Sequence, residues 1–314
     1  MPKKIKVLSL FDGISCARVA LEKLDFKIEY LASEIDKRAI EVSQKNWPDI
    51  VQLGDVSLIT PEVTGGGIDL LIGGSPCQDL SIARSNRQGL KGKSSGLFYE
   101  YLRILREVKP KYFLLENVAS MPREDEDIIS KEIGVKPIMI NAQLVSGQVR
   151  KRLFWTNING VNQPEDREIL LKDILQNDHE IEEKYFLSNE KLEKIKNKDG
   201  QQVATIEKNF CIVREATKKG YAIAYPGYSI DLSFPGSRTR RGRVGDKCKN
   251  LMAGGDSKCV FTGDKIRMLT PVEYERLQCV PDNYTFGSDR KRYKMLGNAF
   301  NVDVIEHILR NIKL

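Results

Sequence analysis

The sequence predicts an α/β fold built on a mostly parallel sheet, with a second, smaller and less regular domain inserted into it. Three features predict this. Short apolar runs alternate with helical stretches over the first 158 residues, the βαβα rhythm of a sheet with helices on both faces. That rhythm stops between Gly160 and about Lys265. It returns near the C-terminus, so both ends of the chain build the first domain. A length of 314 residues suits a plan of about two domains.

The elements follow in order. Lys6–Phe11 reads as a first strand, too short for a signal sequence and ended by Asp12-Gly13. Gly13 and Ser15 turn the chain into a helical stretch, Cys16–Leu24. A second strand, Ile28–Ala32, closes at Ser33-Glu34, and a helix over about Lys37–Lys45 is stopped by Trp47-Pro48. Val51–Leu53 leads into Gly54-Asp55. Ile68–Ile72 is a buried strand by its unbroken apolar character, ended by Gly73-Gly74-Ser75-Pro76. After a helix over Leu97–Val108, Tyr112–Leu115 is another buried strand, ending at Glu116-Asn117. Asp12, Glu34, Asp55, Cys77 and Glu116 thus fall just past strand ends, where open α/β sheets bind ligands.

In the inserted region Glu165–Lys198 is highly charged and helical in character, and Tyr221–Tyr225 and Cys259–Thr262 are short β-like pieces. Thr270-Pro271-Val272-Glu273 is a helix start with a capping box, running to about Cys279. Val302, Ile305, Leu309 and Ile312 form an apolar stripe expected to pack back on the sheet.

Composition excludes several classes. With 41% hydrophobic and 30% charged residues, the chain is not a disordered, collagen-like or small disulfide-stapled protein. No apolar run approaches the ~20 residues that span a bilayer. Six cysteines without a CxxC pair suggest neither a disulfide framework nor a zinc site, and point to a reducing, cytoplasmic setting. Of the net charge of +7, a surplus of five lies between Arg238 and Lys258. Such a segment suits a polyanion such as nucleic acid, and equally a solvated basic loop.

Candidate chemistry lies in four places. A strand, a glycine turn and a helix at Phe11–Ser15 make a nucleotide-cofactor site, although GxGxxG is absent. Glu34 can accept ribose hydroxyls and Asp55 an adenine amino group, and each element alone reads equally as a plain α/β turn with solvated acids. Cys77, set by Pro76 at a strand end, is either an exposed nucleophile of lowered pKa or a buried structural thiol. Arg150 and Arg152 share one face of a strand, as a carboxylate or phosphate clamp or as a solvated basic edge. Glu116 faces the same cleft or caps a helix.

The ordered set FDGIS, SEID, GDV, GGSPCQDLS, GLFYEYLRIL, LLENV, QVRKRLFW, RMLTPVEYERLQCVPD and KMLGNAFNVDVI closely resembles the DNA cytosine-5 methyltransferase family of bacterial and phage type. The match covers residues 5–158 and 266–314. The resemblance implies a Rossmann-like, S-adenosylmethionine-dependent methyltransferase domain over 1–159 and 266–314, and a target recognition domain over 160–265. It implies methyl transfer to C5 of a flipped-out cytosine in a specific short duplex sequence, leaving S-adenosylhomocysteine and using no metal. Cys77 would add to C6, Glu116 would hold the N3–N4 edge, and Arg150 and Arg152 would hold Glu116, O2 or nearby backbone. The cofactor would meet Phe11, Asp12, Gly13, Ile14, Glu34, Ile35, Asp55, Val56, Pro76, Leu97 and Asn298. DNA would meet Gln78, Ser81, Ile82 and Arg84 of a closing lid, and Arg240, Arg241, Arg243 and Lys247 of the insertion.

Two positions depart from the family pattern: Ser15 stands where glycine is usual, and Ser75 where a second proline is common. The implied partner is double-stranded DNA, met by a nucleoid-associated monomer with no membrane attachment, and any cognate restriction endonuclease would act separately. The competing readings are an RNA methyltransferase of the same chemistry, a silent DNA-binding protein and a nicotinamide or flavin oxidoreductase. An amino-methyltransferase is disfavoured because no [DNS]-P-P-[YFW] tetrapeptide occurs.

Overall fold

The computed structural model describes residues 3–76, 95–252 and 258–313. The chain begins β1 (Lys4–Leu10), α1 (Cys16–Glu22), β2 (Lys27–Ser33), α2 (Lys37–Asn46), β3 (Val51–Gln52), α3 (Pro61–Thr64) and β4 (Leu70–Gly73). Then come α4 (Phe98–Val108), β5 (Tyr112–Val118), α5 (Arg123–Ile133), β6 (Ile138–Asn141), β7 (Gln148–Val149) and β8 (Lys151–Thr156). The next stretch holds α6 (Asn189–Lys194), β9 (Ala204–Ile206), β10 (Cys211–Arg214), β11 (Tyr221–Ala224), β12 (Ser229–Asp231), β13 (Val244–Gly245) and β14 (Cys248–Lys249). It ends with β15 (Lys258–Phe261), β16 (Ile266–Met268), α7 (Pro271–Leu277), α8 (Asp289–Asn298) and α9 (Val302–Leu309). No described helix is long and apolar enough to cross a membrane.

Two compact units result. The first comprises 1–141, 151–164 and 299–314; the second comprises 142–150 and 165–298. This division differs from the boundary expected from sequence, because 266–298 packs with the second unit. β16 pairs with β15 there, and Arg267 and Glu273 share a buried ion pair.

The first unit is a seven-stranded sheet in the order β3-β2-β1-β4-β5-β8-β6. Its first five strands are parallel, and β8 runs antiparallel to both β5 and β6. The strand centres are unbroken apolar runs because helices cover both faces; Leu8, Leu10, Leu71 and Leu115 are fully buried. β5 extends to Val118, so Glu116 stands inside the strand rather than past its end. The stripe of α9 is buried and the helix packs against α1, while Ile312 lies beyond the helix end.

The second unit carries two antiparallel sheets, β11-β10-β9 and β13-β12-β15-β16, and a parallel pair, β14-β7. Val203, Val213, Ile230, Phe261 and Ile266 fill its core. Glu165–Lys198 is not the helical segment that its composition suggested: it forms three 3₁₀ turns and the six-residue α6. It lacks an apolar stripe at helical spacing, so Leu171, Tyr185 and Leu192 bury separately, one per segment.

At α7 the capping box forms as the sequence predicts. The Thr270 hydroxyl accepts the Glu273 N–H at 3.2 Å, and Glu273 accepts the Thr270 N–H at 2.8 Å. The same carboxylate takes both terminal nitrogens of Arg267, at 2.8 and 2.9 Å, with both side chains fully buried. Glu273→Ala would strip the buried Arg267 guanidinium of the carboxylate on its two terminal nitrogens, leaving only Asp178 at Nε. The expected loss is ~3–5 kcal/mol in chemical denaturation, recovered in part by a paired Arg267→Met/Glu273→Leu replacement.

Candidate active site

Parallel pairing fixes which residues meet at one edge of the first sheet. Leu10 lies beside Ser33 on one side and Gly73 on the other, and Gly73 lies beside Leu115. The next residues along the chain, Phe11-Asp12, Glu34, Gly74 and Glu116, therefore emerge along a single row.

The loop after β1 is tightly wound. Phe11, Gly13 and Ser15 all have left-handed backbones, with φ of 55°, 59° and 60°. For a serine this conformation costs ~1–2 kcal/mol. Buried hydrogen bonds offset it: the Ser15 hydroxyl bonds Asp12 and lies 2.6 Å from the Ser43 hydroxyl. Asp12 also accepts from the Tyr30 hydroxyl at 2.7 Å. The serine that departs from the family pattern is thus a working part of the loop. Burial pushes the Asp12 carboxyl up to about 6, opposed by its hydrogen bonds from Ser15 and Tyr30. Asp12 is only 7% exposed, so its carboxylate holds the loop rather than facing outward.

Glu34 gathers backbone from both sides of its strand end. One oxygen accepts Gly13 N–H at 2.8 Å, and the other accepts Ile35 and Asp36 N–H, both at 2.8 Å. Ile35 beside it is 70% exposed, an apolar side chain available to a flat ring. Asp55 is exposed, and its carboxyl is held below the usual range by the Ser57 N–H and hydroxyl. Pro76 and Leu97 are half-buried, whereas Ile14 and Val56 are buried core residues. Asn298 ends α8 in the second unit and is exposed.

Glu116 is paired. Arg152 Nε lies 2.7 Å from Glu116 Oε1, and each side chain is 13% exposed. The antiparallel register, with Val118 opposite Arg152 and Glu116 opposite Phe154, brings them together on one face. The other carboxylate oxygen lies close to Gly74: a Cβ there would stand 3.2 Å from Glu116 Oε2 and 2.7 Å from the Phe300 ring. Asn117 points its amide at Ser75, 3.2 Å from the hydroxyl and 3.4 Å from the carbonyl. Ser75 thereby ties the segment leading to Cys77 onto β5, a bond that proline could not match at the hydroxyl.

Arg150 does not share a strand with Arg152. β7 ends at Val149 and β8 begins at Lys151, and Arg150 belongs to the second unit. There it is 3% exposed and donates to Asn250 at 3.1 Å and to the Gly297 carbonyl at 3.3 Å. Alternation fails because β7 pairs with β14 while β8 pairs with β5 and β6.

Cys77, Gln78, Ser81, Ile82 and Arg84 lie outside the described residues. The other five cysteines are free thiols, four of them buried. Burial pushes Cys211 and Cys248 up to about 12, which leaves no thiolate for attack. Among the described residues no His, Cys, Asp and Glu cluster could hold a metal.

The basic segment is partly spent inside the second unit. Arg243 is 2% exposed and donates to the carbonyls of Asp231, Ser233 and Phe234, each at 2.8 Å, so it presents no charge outward. Buried Asp231 pairs with Lys258 at 2.8 Å and with Arg240. Despite burial, these cations hold its carboxyl down to about 2. Arg241 is exposed and commits its Nε to the Ala216 carbonyl at 2.8 Å. Lys247 donates to the Gln143 carbonyl at 2.6 Å. Sequence reasoning missed Tyr30, Ser43, Asn117 and Phe300; the last two sat inside the recognised ENV and GNAF motifs.

A family model described as C-5 cytosine-specific DNA methylase matches residues 5–314. The chain belongs to this family. It is therefore an enzyme of the DNA cytosine-5 methyltransferase type, and such enzymes draw the methyl group from S-adenosylmethionine. Similar relatives include the type II methyltransferase M.HpaII of Haemophilus parainfluenzae, 27% identical over 97% of this chain and 88% of that protein. Another is the type II methyltransferase M.HhaI of Haemophilus parahaemolyticus, 26% identical over 98% of this chain and 94% of that protein. The fold is similar to Entamoeba histolytica methyltransferase EhMeth, with a TM-score of 0.66 over 98% of both chains at 16% identity.

The raised Asp12 carboxyl has a signed consequence. Between an ordinary aspartate's 3.8 and about 6, the folded chain binds more protons than the unfolded chain, so stability falls as pH rises through that window. Asp12→Asn has no such group. Its stability relative to the parent is expected to grow from pH 4 to 6, by up to ~3 kcal/mol, and then stay level in denaturant titrations.

Proposed function

We propose that this enzyme methylates C5 of cytosine within a specific short sequence of duplex DNA, with Cys77 as the nucleophile and Glu116 as the group that holds the base. The observation that carries this is the Glu116–Arg152 pair at the strand edge. One carboxylate oxygen is fixed by Arg152, and the other lies by Gly74, three residues before Cys77.

Cytosine C5 is a poor nucleophile. Addition of the Cys77 thiolate to C6 makes C5 enamine-like, while Glu116 binds the N3–N4 edge and supplies a proton at N3. Arg152 keeps the carboxylate oriented toward the base. Methylation of C5 would leave S-adenosylhomocysteine; C5 then gives its proton to water, and the electron pair left behind expels the Cys77 thiolate from C6. In a duplex C5 and C6 are covered by stacking, so the base must first leave the helix, at a cost of a few kcal/mol.

The first unit's strand edge fits S-adenosylmethionine. Glu34 would take the ribose and exposed Ile35 would pack on the adenine, with the Asp12–Ser15 network holding the Phe11–Ser15 loop beside them. Bound there, the cofactor supplies an electrophilic methyl group. Phe11, Gly13, Asp55, Pro76 and Leu97 of the same unit would complete its surroundings. The second unit reads DNA, and the chain acts as a monomer with any restriction endonuclease separate.

The test is expression in a host free of cytosine methylation, followed by base-resolution mapping of 5-methylcytosine. One short modified motif is expected, erased by Cys77→Ser. Glu116→Gln is expected to lower the single-turnover rate by ~10²–10⁴-fold while cofactor affinity is retained. Unmodified host DNA alongside methylated tRNA would overturn the DNA assignment.

A further inference from the structure

A cavity of about 310 Å³ opens in the second unit, lined on one side by Arg238 and Arg243 of the basic segment and on the other by residues between 197 and 220. Its rim is made by three hydrogen-bonded turns. Asn197 accepts from the N–H groups of Asp199 and Gln201 at 3.0 and 2.9 Å. Glu215 N–H donates to the Gly220 carbonyl at 3.0 Å, and Ser237 N–H to Phe234 at 3.0 Å. Lys198, Arg214 and Arg238 enter from these separate segments. Among the described residues, none of the three side chains makes a hydrogen bond or ion pair.

The Lys198 stem passes close to Gly236, where an added Cβ would stand 3.4 Å from it. Asp199 and Glu215 also line the cavity, and Glu215 accepts the Arg243 N–H at 2.9 Å. The Arg243 guanidinium itself is turned inward onto its three carbonyls. No lining residue is aromatic, so the cavity offers no platform on which a base would stack.

We infer that this cavity holds a backbone phosphate of the duplex, gripped by Lys198, Arg214 and Arg238. The inference rests on the DNA reading proposed above. Two guanidinium groups and one ammonium group, set against the carboxylates of Asp199 and Glu215, leave a positive surplus that suits a phosphodiester. Of the three arginines that the sequence marked for DNA, Arg240 and Arg243 hold the unit together around Asp231, and Arg241 bonds the Ala216 carbonyl. Charge that meets DNA and charge that builds the fold are thus carried by different residues of one domain.

The experiment measures binding of the full chain to a duplex carrying its methylation site, and to one lacking it, across salt concentrations. For the Lys198→Ala/Arg214→Ala/Arg238→Ala variant, the log–log salt slope is expected to fall by ~0.9 for one lost phosphate. The loss of affinity is expected to be equal on both duplexes, because a phosphate carries no sequence information. Affinity for S-adenosylmethionine and melting temperature should stay at parent values. Arg214→Gln and Arg238→Gln, which remove charge but keep a polar side chain, should each weaken binding in the same sense should the triple variant fold poorly. Arg243→Ala, in contrast, should lower the melting temperature.

An unchanged slope in a folded variant overturns the assignment, and so does a loss confined to the duplex with the site. A parent chain that methylates no duplex DNA overturns the DNA reading as well, and that failure is visible before any variant is made.

Discussion

Parallel strands in register must end together, and most of the candidate site follows from that constraint. Leu10, Ser33, Gly73 and Leu115 occupy one row of the first sheet. Whatever follows them is delivered to the same edge, however far apart it lies in sequence. Asp12, Glu34, Gly74 and Glu116 are brought together in this way, and each then does a different task. Asp12 is buried and holds the first loop, Glu34 gathers three backbone N–H groups, and Gly74 leaves room for its neighbours. Glu116 keeps one oxygen beside that room.

The row would be incomplete without the antiparallel strand. β8 enters between β5 and β6 and brings Arg152 to Glu116. A half-buried carboxylate needs such a partner, because burial without compensation favours its neutral form. Asp231 uses the same solution in the second unit, with Lys258 and Arg240 as its cations. In the first unit the compensated acid lies at the strand edge beside Gly74, where the proposed chemistry would use it. In the second it lies inside and serves stability.

Much of this was legible in the sequence. The β1, β2, β4 and β5 strands announce themselves by continuous apolar runs, and the Thr270–Glu273 box by its spacing. Ser15 and Ser75 were visible as departures, but not the buried hydroxyl bonds that make them useful. Other features depend on pairing partners that periodicity cannot name. Arg150 and Arg152 alternate correctly for one strand, yet the strand changes partner between them. Arg243 looks like any arginine of a basic loop until the carbonyls of Asp231, Ser233 and Phe234 close around it. Glu165–Lys198 has helix-forming residues without an apolar stripe, and local propensity gave way to separate anchoring of Leu171, Tyr185 and Leu192.

The central claim is that a thiolate adds to cytosine beside Glu116, and a trapping experiment tests it directly. Duplex DNA with 5-fluorocytosine in place of cytosine has no C5 proton to lose, so an adduct formed at C6 cannot collapse after methylation. Incubation with S-adenosylmethionine should yield a denaturation-resistant protein–DNA complex, and peptide mass mapping should place the attachment at Cys77. Attachment at another residue, or no complex from a chain that methylates ordinary duplex DNA, would contradict the account.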